Sequence, residues 1–191
     1  MSFDFETKIH AKLINEKTVV IEPKMQKILT ERGFGEPEND VIILDSIETL
    51  YLLYNNKLEL KKVNKNIIFD ELIQKYIQKN DDTLIRFLLY RDLRTKGYAV
   101  KDGFGFGSDF RVYERGTYGL KDAKFVVFAF NEGTQQKIGK LYKNIVEITK
   151  MGKEPIVAVV ERRGEIIYYK INKMNFSENK PDLQMKDFEF N

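Results

Sequence analysis

The side chains available for acid–base or nucleophilic chemistry are restricted in kind. The 191 residues include no cysteine and a single histidine, His10. The missing thiols exclude disulfides, zinc–thiolate clusters and cysteine nucleophiles, and one imidazole is too few for the usual transition-metal site. We therefore expect no metal and no cofactor. The remaining candidates for chemistry are tyrosine, lysine and carboxylate side chains.

Two such side chains stand where the chain is expected to turn. Tyr113 ends a predicted strand just before Glu114-Arg115-Gly116, and a strand end beside a glycine turn can present a phenol to a cleft. Lys153 lies between a predicted helix and a predicted strand, where an ammonium can reach a phosphate as a point charge. The plainer alternatives stay open, because most such tyrosines pack at a sheet edge and most loop lysines are only solvated.

Two motifs that would bring in a nucleotide or a magnesium ion fail on inspection. The glycine-rich stretch 103–107 follows a predicted strand but leads into another strand, whereas the dinucleotide fingerprint must open a helix. Asp109 with a later acidic-x-Lys would resemble a magnesium nuclease, but Glu161-Arg162-Arg163 lacks that lysine.

Composition indicates an ordinary soluble globular protein, with 42% hydrophobic and 32% charged residues. The length allows one large domain or two small ones. A net charge of +3 is too small to indicate a basic electrostatic field over the whole protein, so any nucleic-acid-binding surface must be local. No secretion signal and no apolar run of membrane-spanning length is recognisable. We therefore expect a cytoplasmic protein with no membrane partner.

Periodicity predicts a small α+β unit in the first part of the chain. Residues 7–14 and 18–21 read as a β-hairpin, and residues 41–44 read as a short strand. Pro23 can open a helix that reaches Arg32. Asp45 and Glu48 form a capping-box pattern at the start of a second helix. A third helix is predicted over about 69–78.

The second part of the chain predicts helices alternating with strands. A helix over about 82–96 would bury Leu84, Ile85, Leu88, Leu89 and Leu93, and a helix over about 134–150 would bury Ile138, Leu141, Tyr142, Ile145 and Ile148. Strands are predicted near 98–102, 109–114, 124–130, 155–161 and 165–171.

These elements predict an α/β (α+β) protein with two domains. Residues 1–79 would form a small N-terminal α+β domain. Residues 80–173 would form a C-terminal α/β domain with a mixed central sheet. Residues 174–191 read as a polar tail with scattered phenylalanines, in which four acidic residues face two lysines.

Three stretches carry a resemblance to a known family. They are residues 90–98 (Tyr-Arg-Asp-Leu-Arg-Thr-Lys-Gly-Tyr), residues 107–116 (Gly-Ser-Asp-Phe-Arg-Val-Tyr-Glu-Arg-Gly), and Lys153 ahead of the apolar run 156–160. Together they resemble the archaeal tRNA-splicing endonucleases, whose site is a Tyr, His, Lys triad. The resemblance spans roughly residues 41–171 and is strongest over 84–116. It implies two α/β domains, the second a compact nuclease fold.

The resemblance also implies a mechanism, and one part of it is missing. Metal-free cleavage by the RNA 2′-hydroxyl needs a base, an acid and a cation, which the family assigns to Tyr, His and Lys. Tyr113 and Lys153 match, but the histidine position reads as Asp122 or a close neighbour. A solvent-facing aspartate has a pKa of about 3.9 and is a poor proton donor at neutral pH. Only His10 could substitute, by folding over from the first domain.

Surfaces for RNA and for assembly follow from the same resemblance. The cations expected near RNA are Arg111, Arg115, Lys150 and Lys170. The family's assembly loop, acidic in other members, corresponds here to Glu161, Arg162, Arg163, Gly164 and Glu165, where two arginines offset two glutamates.

Our leading hypothesis is a structural subunit that lacks the catalytic histidine. It would pair with a catalytic paralogous subunit in a two-plus-two tetramer and help it to process precursor tRNA. One alternative is an active metal-independent RNA endonuclease that uses Tyr113 and Lys153 with a substituted general acid. Another is a free-standing RNA-binding module.

Overall fold

A computed structural model describes residues 7–103, 105, 107–135 and 138–172. In its first part the elements are β1 (Ile9–Ile14), β2 (Lys17–Val20), α1 (Pro23–Glu31), β3 (Glu36–Glu38), β4 (Val41–Leu44), α2 (Ser46–Tyr54), β5 (Leu58–Lys62), β6 (Lys65–Ile67) and α3 (Phe69–Lys79). In its second part they are α4 (Thr83–Thr95), β7 (Ala99–Asp102), β8 (Phe110–Tyr113), β9 (Phe125–Asn131), α5 (Ile138–Lys150), β10 (Glu154–Val160) and β11 (Ile166–Lys170). The predicted tail, residues 174–191, lies outside the described residues.

The strands form two mixed sheets, and with the helices they confirm the predicted α+β class. The first has the order β3-β4-β2-β1-β5-β6, and the second has the order β11-β10-β9-β8-β7. Each contains one parallel pair, β1 with β5 and β9 with β10, among antiparallel neighbours. Helix α4 packs on one face of the second sheet, against Val112 and Val127. On the other face Ile148 of α5 packs against Val126 and Phe128.

Local sequence signals predicted several elements correctly. The predicted hairpin and the strand Val41–Leu44 are present. Helix α1 begins at Pro23 and its chain reverses at Gly33, which has a φ of 69°. At the start of α2, the Asp45 carboxylate accepts from the Ile47 and Glu48 amides, and the Glu48 carboxylate accepts from the Asp45 amide. The predicted capping box is therefore confirmed.

Other features of the prediction were incomplete or wrong. The strands β3, β5 and β6 were missed. Strands β3 and β6 have three mostly polar residues each and gain their partners only from the sheet, whereas β5 alternates the buried Leu58 and Leu60 with polar residues, a signal that the prediction overlooked. Helix α5 begins at Ile138 and not at 134, since Thr134 belongs to a turn whose amide binds the Asn131 carbonyl. Tyr142, predicted to face inward, is exposed.

The predicted buried face of α4 also needs correction. Leu84 is 44% exposed, whereas Phe87, Tyr90 and Arg94 are buried together with the predicted Leu89 and Leu93. The reason is that α4 contacts both α2 and the second sheet. The buried surface of α4 is therefore wider than a single stripe. It is also rotated around the helix axis relative to the face that the spacing of the leucines and isoleucine predicts.

Two buried cations join the two parts of the chain. The guanidinium of Arg94 donates to the carbonyl oxygens of Arg32 (2.9 Å) and Gly33 (2.6 Å). The ammonium of Lys101 donates to the carbonyl oxygen of Gly35 (2.7 Å) and lies 3.4 Å from the Glu48 carboxylate. The turn between α1 and β3 is thereby held by side chains from α4 and β7. Over the described residues, no helix has the length and apolar character needed to cross a membrane.

Candidate active site

Tyr113 lies at the end of β8 and opens onto a groove between the two parts of the chain. The groove has a volume of about 890 Å³, and its lining includes Tyr113, Tyr118 and Asp122. Its opposite wall comes from the end of α1, through Thr30 and Glu31. The structure therefore brings two of the predicted site residues, Tyr113 and Asp122, to one groove.

Tyr118 is a member of this groove that the sequence analysis missed. Its ring meets the Tyr113 ring edge-on, with centroids 4.8 Å apart. It also covers Gly33, where an added Cβ would lie 3.1 Å from the Tyr118 ring. Burial raises the pKa of the Tyr118 phenol, so the group stays protonated at neutral pH. No motif marks this residue; it reaches Tyr113 only because the following turns fold the chain back.

The segment that carries Asp122 turns back to β9. The amide of Lys121 binds the Thr117 carbonyl and closes the turn, and the amide of Lys124 binds the Val112 carbonyl on β8. Between them Asp122 is exposed while Ala123 is buried. The side chain presented to the groove at this point is thus a carboxylate.

Lys153 reaches the same segment from the connection between α5 and β10. Its ammonium donates to the Ala123 carbonyl oxygen at 2.8 Å, beside Asp122 in the chain. Its own amide binds the Ile148 carbonyl at the end of α5 (3.2 Å). This places a cation next to the segment in which the family resemblance expects the histidine.

The single histidine is elsewhere. His10 lies on β1, with its Nδ1 atom 3.4 Å from a carboxylate oxygen of Glu59 on β5. Both residues line a different groove, together with Lys12 and Val63. His10 is therefore not among the residues that line the Tyr113 groove.

The cations expected to contact RNA are dispersed. Arg111 lies two residues before Tyr113 on β8, and its guanidinium is 4.0 Å from the Glu36 carboxylate. The Arg115 guanidinium lies over a ring, 5.1 Å from the centroid of Tyr98. The other two each pair with a glutamate of this chain, Lys150 with Glu147 (2.7 Å) and Lys170 with Glu154 (2.8 Å). By strand alternation, Arg111 shares a sheet face with Tyr113.

The predicted assembly loop forms the tight connection between β10 and β11. The Gly164 amide binds the Glu161 carbonyl, and the Glu161 amide binds the Glu165 carbonyl. Gly164 has a φ of 81°, which favours glycine. The side chains of Arg162 and Arg163 at the tip are exposed.

Comparison with known proteins assigns this chain to a class of RNA-processing proteins. Residues 10–73 match the tRNA intron endonuclease N-terminal domain, and residues 83–168 match the tRNA intron endonuclease catalytic C-terminal domain. The chain belongs to the tRNA-splicing endonuclease family.

Similarity to individual relatives extends over most of the chain. A tRNA-splicing endonuclease of Methanococcus maripaludis is 33% identical over 162 residues, which cover 84% of this chain and 92% of the relative. One from Thermococcus onnurineus is 30% identical over 155 residues, covering 81% and 90%. One from Methanococcoides burtonii is 23% identical over 166 residues, which cover 86% of this chain but only 46% of that relative.

Proposed function

We propose that this chain takes part in the excision of introns from precursor tRNA as a structural subunit. Its relatives are tRNA-splicing endonucleases by name. It would pair with a catalytic paralogous subunit, in a two-plus-two tetramer, and that subunit would supply the complete Tyr, His, Lys triad. This chain covers less than half of the Methanococcoides burtonii relative. That relative is therefore long enough to contain a second unit of this size in one polypeptide.

The composition of the Tyr113 groove carries this proposal. Tyr113 and Asp122 line the groove, and the Lys153 ammonium lies on the adjacent Ala123 carbonyl. We infer that Tyr113 and Lys153 correspond to the phenol and the ammonium of the family site, and that a carboxylate stands where the family has its histidine. General acid catalysis contributes about 10²–10⁴ to a rate, so a site of this composition would bind RNA better than it cuts it.

The dispersed cations would then serve RNA binding rather than cleavage. Arg111 and Arg115 flank Tyr113 on β8 and its turn, and we assign them to precursor tRNA near the groove. Lys150 and Lys170 would contact the phosphate backbone by exchanging their glutamate partners for phosphate. The loop Glu161–Glu165 would contact the partner subunit, with its two exposed arginines meeting carboxylates there.

Cleavage assays on a bulge–helix–bulge RNA test the proposal. The purified chain should be inactive alone, with or without Mg²⁺, and cleavage should appear when a His-bearing paralogue is added. In that complex, Tyr113→Phe in this chain should leave the rate unchanged, while the equivalent change in the paralogue should abolish cleavage. Many turnovers by the chain alone would defeat the structural-subunit role.

One observation favours the second candidate, an active metal-independent endonuclease. The phenol of Tyr118 lines the groove beside Tyr113, with ring centroids 4.8 Å apart, so its hydroxyl is the candidate for the substituted acid. If the chain alone cuts RNA, then Tyr118→Phe should abolish that activity while leaving RNA affinity unchanged. Tyr142→Phe, at an exposed tyrosine of α5 that does not line the groove, is the matched control.

A further inference from the structure

A carboxylate of the first sheet lies against two cations of the second sheet, close to Tyr113. One carboxylate oxygen of Glu36 is 2.9 Å from the Lys101 ammonium and 4.0 Å from the Arg111 guanidinium. Lys101 and Arg111 are direct partners in the pairing of β7 with β8, so their side chains leave the second sheet on the same face. The two cations therefore form one positively charged site, and Glu36 is the anion that fills it.

The Lys101 ammonium does not depend on Glu36 alone for its burial. It also donates to the Gly35 carbonyl oxygen at 2.7 Å and lies 3.4 Å from the Glu48 carboxylate. Burial by itself would lower the pKa of Lys101, but the Glu48 and Glu36 carboxylates hold this pKa above its usual value. Departure of the Glu36 side chain would therefore leave a charged lysine that still has partners.

Glu36 is the least confined member of this cluster. Its side chain is 66% exposed, whereas that of Lys101 is 5% exposed and that of Arg111 is 28% exposed. It stands on β3, which is an edge strand of the first sheet, so the side chain can turn into solvent. An ion pair with an exposed partner contributes little to stability. Another anion can therefore displace this carboxylate.

The position of the Glu36 carboxylate adjoins the Tyr113 groove. Arg111 lies two residues before Tyr113 on the same face of β8, a separation of about 7 Å along a strand. The Tyr118 ring meets that of Tyr113 with centroids 4.8 Å apart. Burial raises the pKa of Tyr118, and the charges of Lys101 and Glu36 act on the same pKa. An RNA strand bound at Tyr113 would therefore bring a phosphate close to Glu36.

We propose that Glu36 limits the affinity of this groove for RNA by occupying the place of one backbone phosphate. The phosphate would exchange with the Glu36 carboxylate on Lys101 and Arg111, as it exchanges with a condensed counterion elsewhere. The two cations suit this ligand, because a guanidinium binds two phosphate oxygens side by side and an ammonium adds a point charge. The inference rests on the binding of precursor tRNA at this groove proposed above.

Charge-matched variants test whether Glu36 competes with phosphate. Glu36→Gln should raise the affinity of the chain for a bulge–helix–bulge RNA by about 3–5-fold at low salt. It should also make the dependence of log Kd on log salt concentration steeper by roughly 0.7–0.9, because one more counterion is released. Fluorescence anisotropy measures both quantities. A purely structural role for Glu36 predicts weaker or unchanged binding, and either result would overturn the proposal.

The matched control is Glu38→Gln. Glu38 stands on the same strand and pairs with Lys17 at 3.0 Å, so this substitution removes the same charge away from the two cations. It should change neither the affinity nor the salt dependence. An equal gain from Glu38→Gln would mean that net charge alone governs RNA binding, and the specific role of Glu36 would be wrong.

A second substitution ties the gain to the cations. In a chain that carries Arg111→Gln, Glu36→Gln should strengthen RNA binding much less than it does in the parent. Arg111→Lys keeps the charge and should preserve most of the gain, and circular dichroism verifies the folding of each variant. A full gain in the folded Arg111→Gln chain would place the effect elsewhere and overturn the proposal.

The failure of this inference is distinguishable from the failure of the structural-subunit role. That role is decided by cleavage in the presence of the paralogue, whereas the role of Glu36 is decided by RNA affinity. If Glu36→Gln left RNA affinity unchanged but tightened association with the paralogue in sedimentation, a carboxylate of the partner would be the ligand and the assignment to phosphate would be wrong. Absence of RNA binding by the parent and by Glu36→Gln would also overturn it.

Discussion

The Lys153 ammonium donates a hydrogen bond to the Ala123 carbonyl oxygen at 2.8 Å. This contact links the connection after α5 to the segment just before β9. It fixes a cation beside the position from which the family resemblance would project an imidazole. Ala123 itself is buried, and its neighbour Asp122 faces the groove. The side chain that this segment presents to the groove is thus a carboxylate where the family resemblance expects an imidazole.

Supplying that imidazole should create cleavage activity. We expect Ala123→His or Asp122→His to give metal-independent cleavage of a bulge–helix–bulge RNA, about 10²–10⁴ above the parent chain. The activity should depend on an imidazole that titrates near pH ~6.5. The measurement is a single-turnover rate as a function of pH.

A matched control separates restored catalysis from contamination. Adding Tyr113→Phe to the active variant should remove the gained activity, whereas adding Tyr142→Phe, at an exposed residue of α5, should not. If both histidine variants bind RNA and neither cuts, Tyr113 and Lys153 no longer form a usable site.

The buried carboxylate of Glu48 should make folding stability depend on pH. Burial, followed by the charge of Asp45, raises the pKa of Glu48 to about 7. An acid whose pKa is higher in the folded than in the unfolded state, where it is about 4.3, holds more protons when folded. Its contribution to the free energy of unfolding is therefore full below that unfolded value and is lost as pH rises through about 7.

Glu48→Gln should flatten this pH dependence. It should also destabilise the protein by about 1–3 kcal/mol. The Gly35 and Asp45 amides both donate to one carboxylate oxygen, which glutamine can supply, but an NH2 group would replace the other oxygen, which lies 3.4 Å from the Lys101 ammonium. Urea unfolding at several pH values measures both effects. Identical slopes for parent and variant would show that Glu48 does not titrate in this range.

The buried guanidinium of Arg94 should be a main determinant of stability. Arg94→Met removes the donor to the carbonyl oxygens of Arg32 and Gly33 and to the Tyr90 hydroxyl. We expect a loss of roughly 3 kcal/mol in the free energy of unfolding. Arg162→Met, at an exposed hairpin tip, should change it by less than about 0.5 kcal/mol. A similar small effect of both substitutions in urea unfolding would contradict this assignment.

Val63 should be a site where substitution stabilises the protein. It is 89% exposed and has a φ of 55°, which is unfavourable for a β-branched residue. Val63→Gly and Val63→Asn should each raise the free energy of unfolding, measured in urea, by about 1 kcal/mol. Val63→Ala also removes apolar surface, but alanine has neither the backbone freedom of glycine nor the local hydrogen bonding that lets asparagine adopt a positive φ, so it should gain less. An equal gain from all three would point to the removal of exposed apolar surface rather than to relief of backbone strain.

Elements with local signals could be predicted from the sequence. The capping box of Asp45 and Glu48 marked the start of α2, and Pro23 marked the start of α1, because both act within a few residues of the chain. The strands β3 and β6 could not be found in this way. Each has three residues, with no apolar alternation, and becomes a strand only through the ladder of its neighbour.

The candidate site also has a part that the sequence could predict and a part that it could not. Tyr113, Asp122 and Lys153 were proposed as site residues from motifs. Their spatial relation could not be predicted, because the bond of Lys153 to Ala123 joins distant positions of the chain. Tyr118 and the wall from α1 had no signal at all. Likewise, nothing in the sequence marked Arg94 as buried, because its partners are backbone carbonyls of a distant turn.

The amino-acid sequence by itself determined that this chain has only one imidazole, together with the family motifs and the elements that begin at a proline or a capping box. Only the tertiary structure decided that His10 lies on β1 against Glu59 while Tyr113 and Asp122 line another groove. The physical reason is one of range. Residue type and capping act within a turn of the chain, whereas burial, buried hydrogen bonds and the walls of a groove depend on which distant segments pack together.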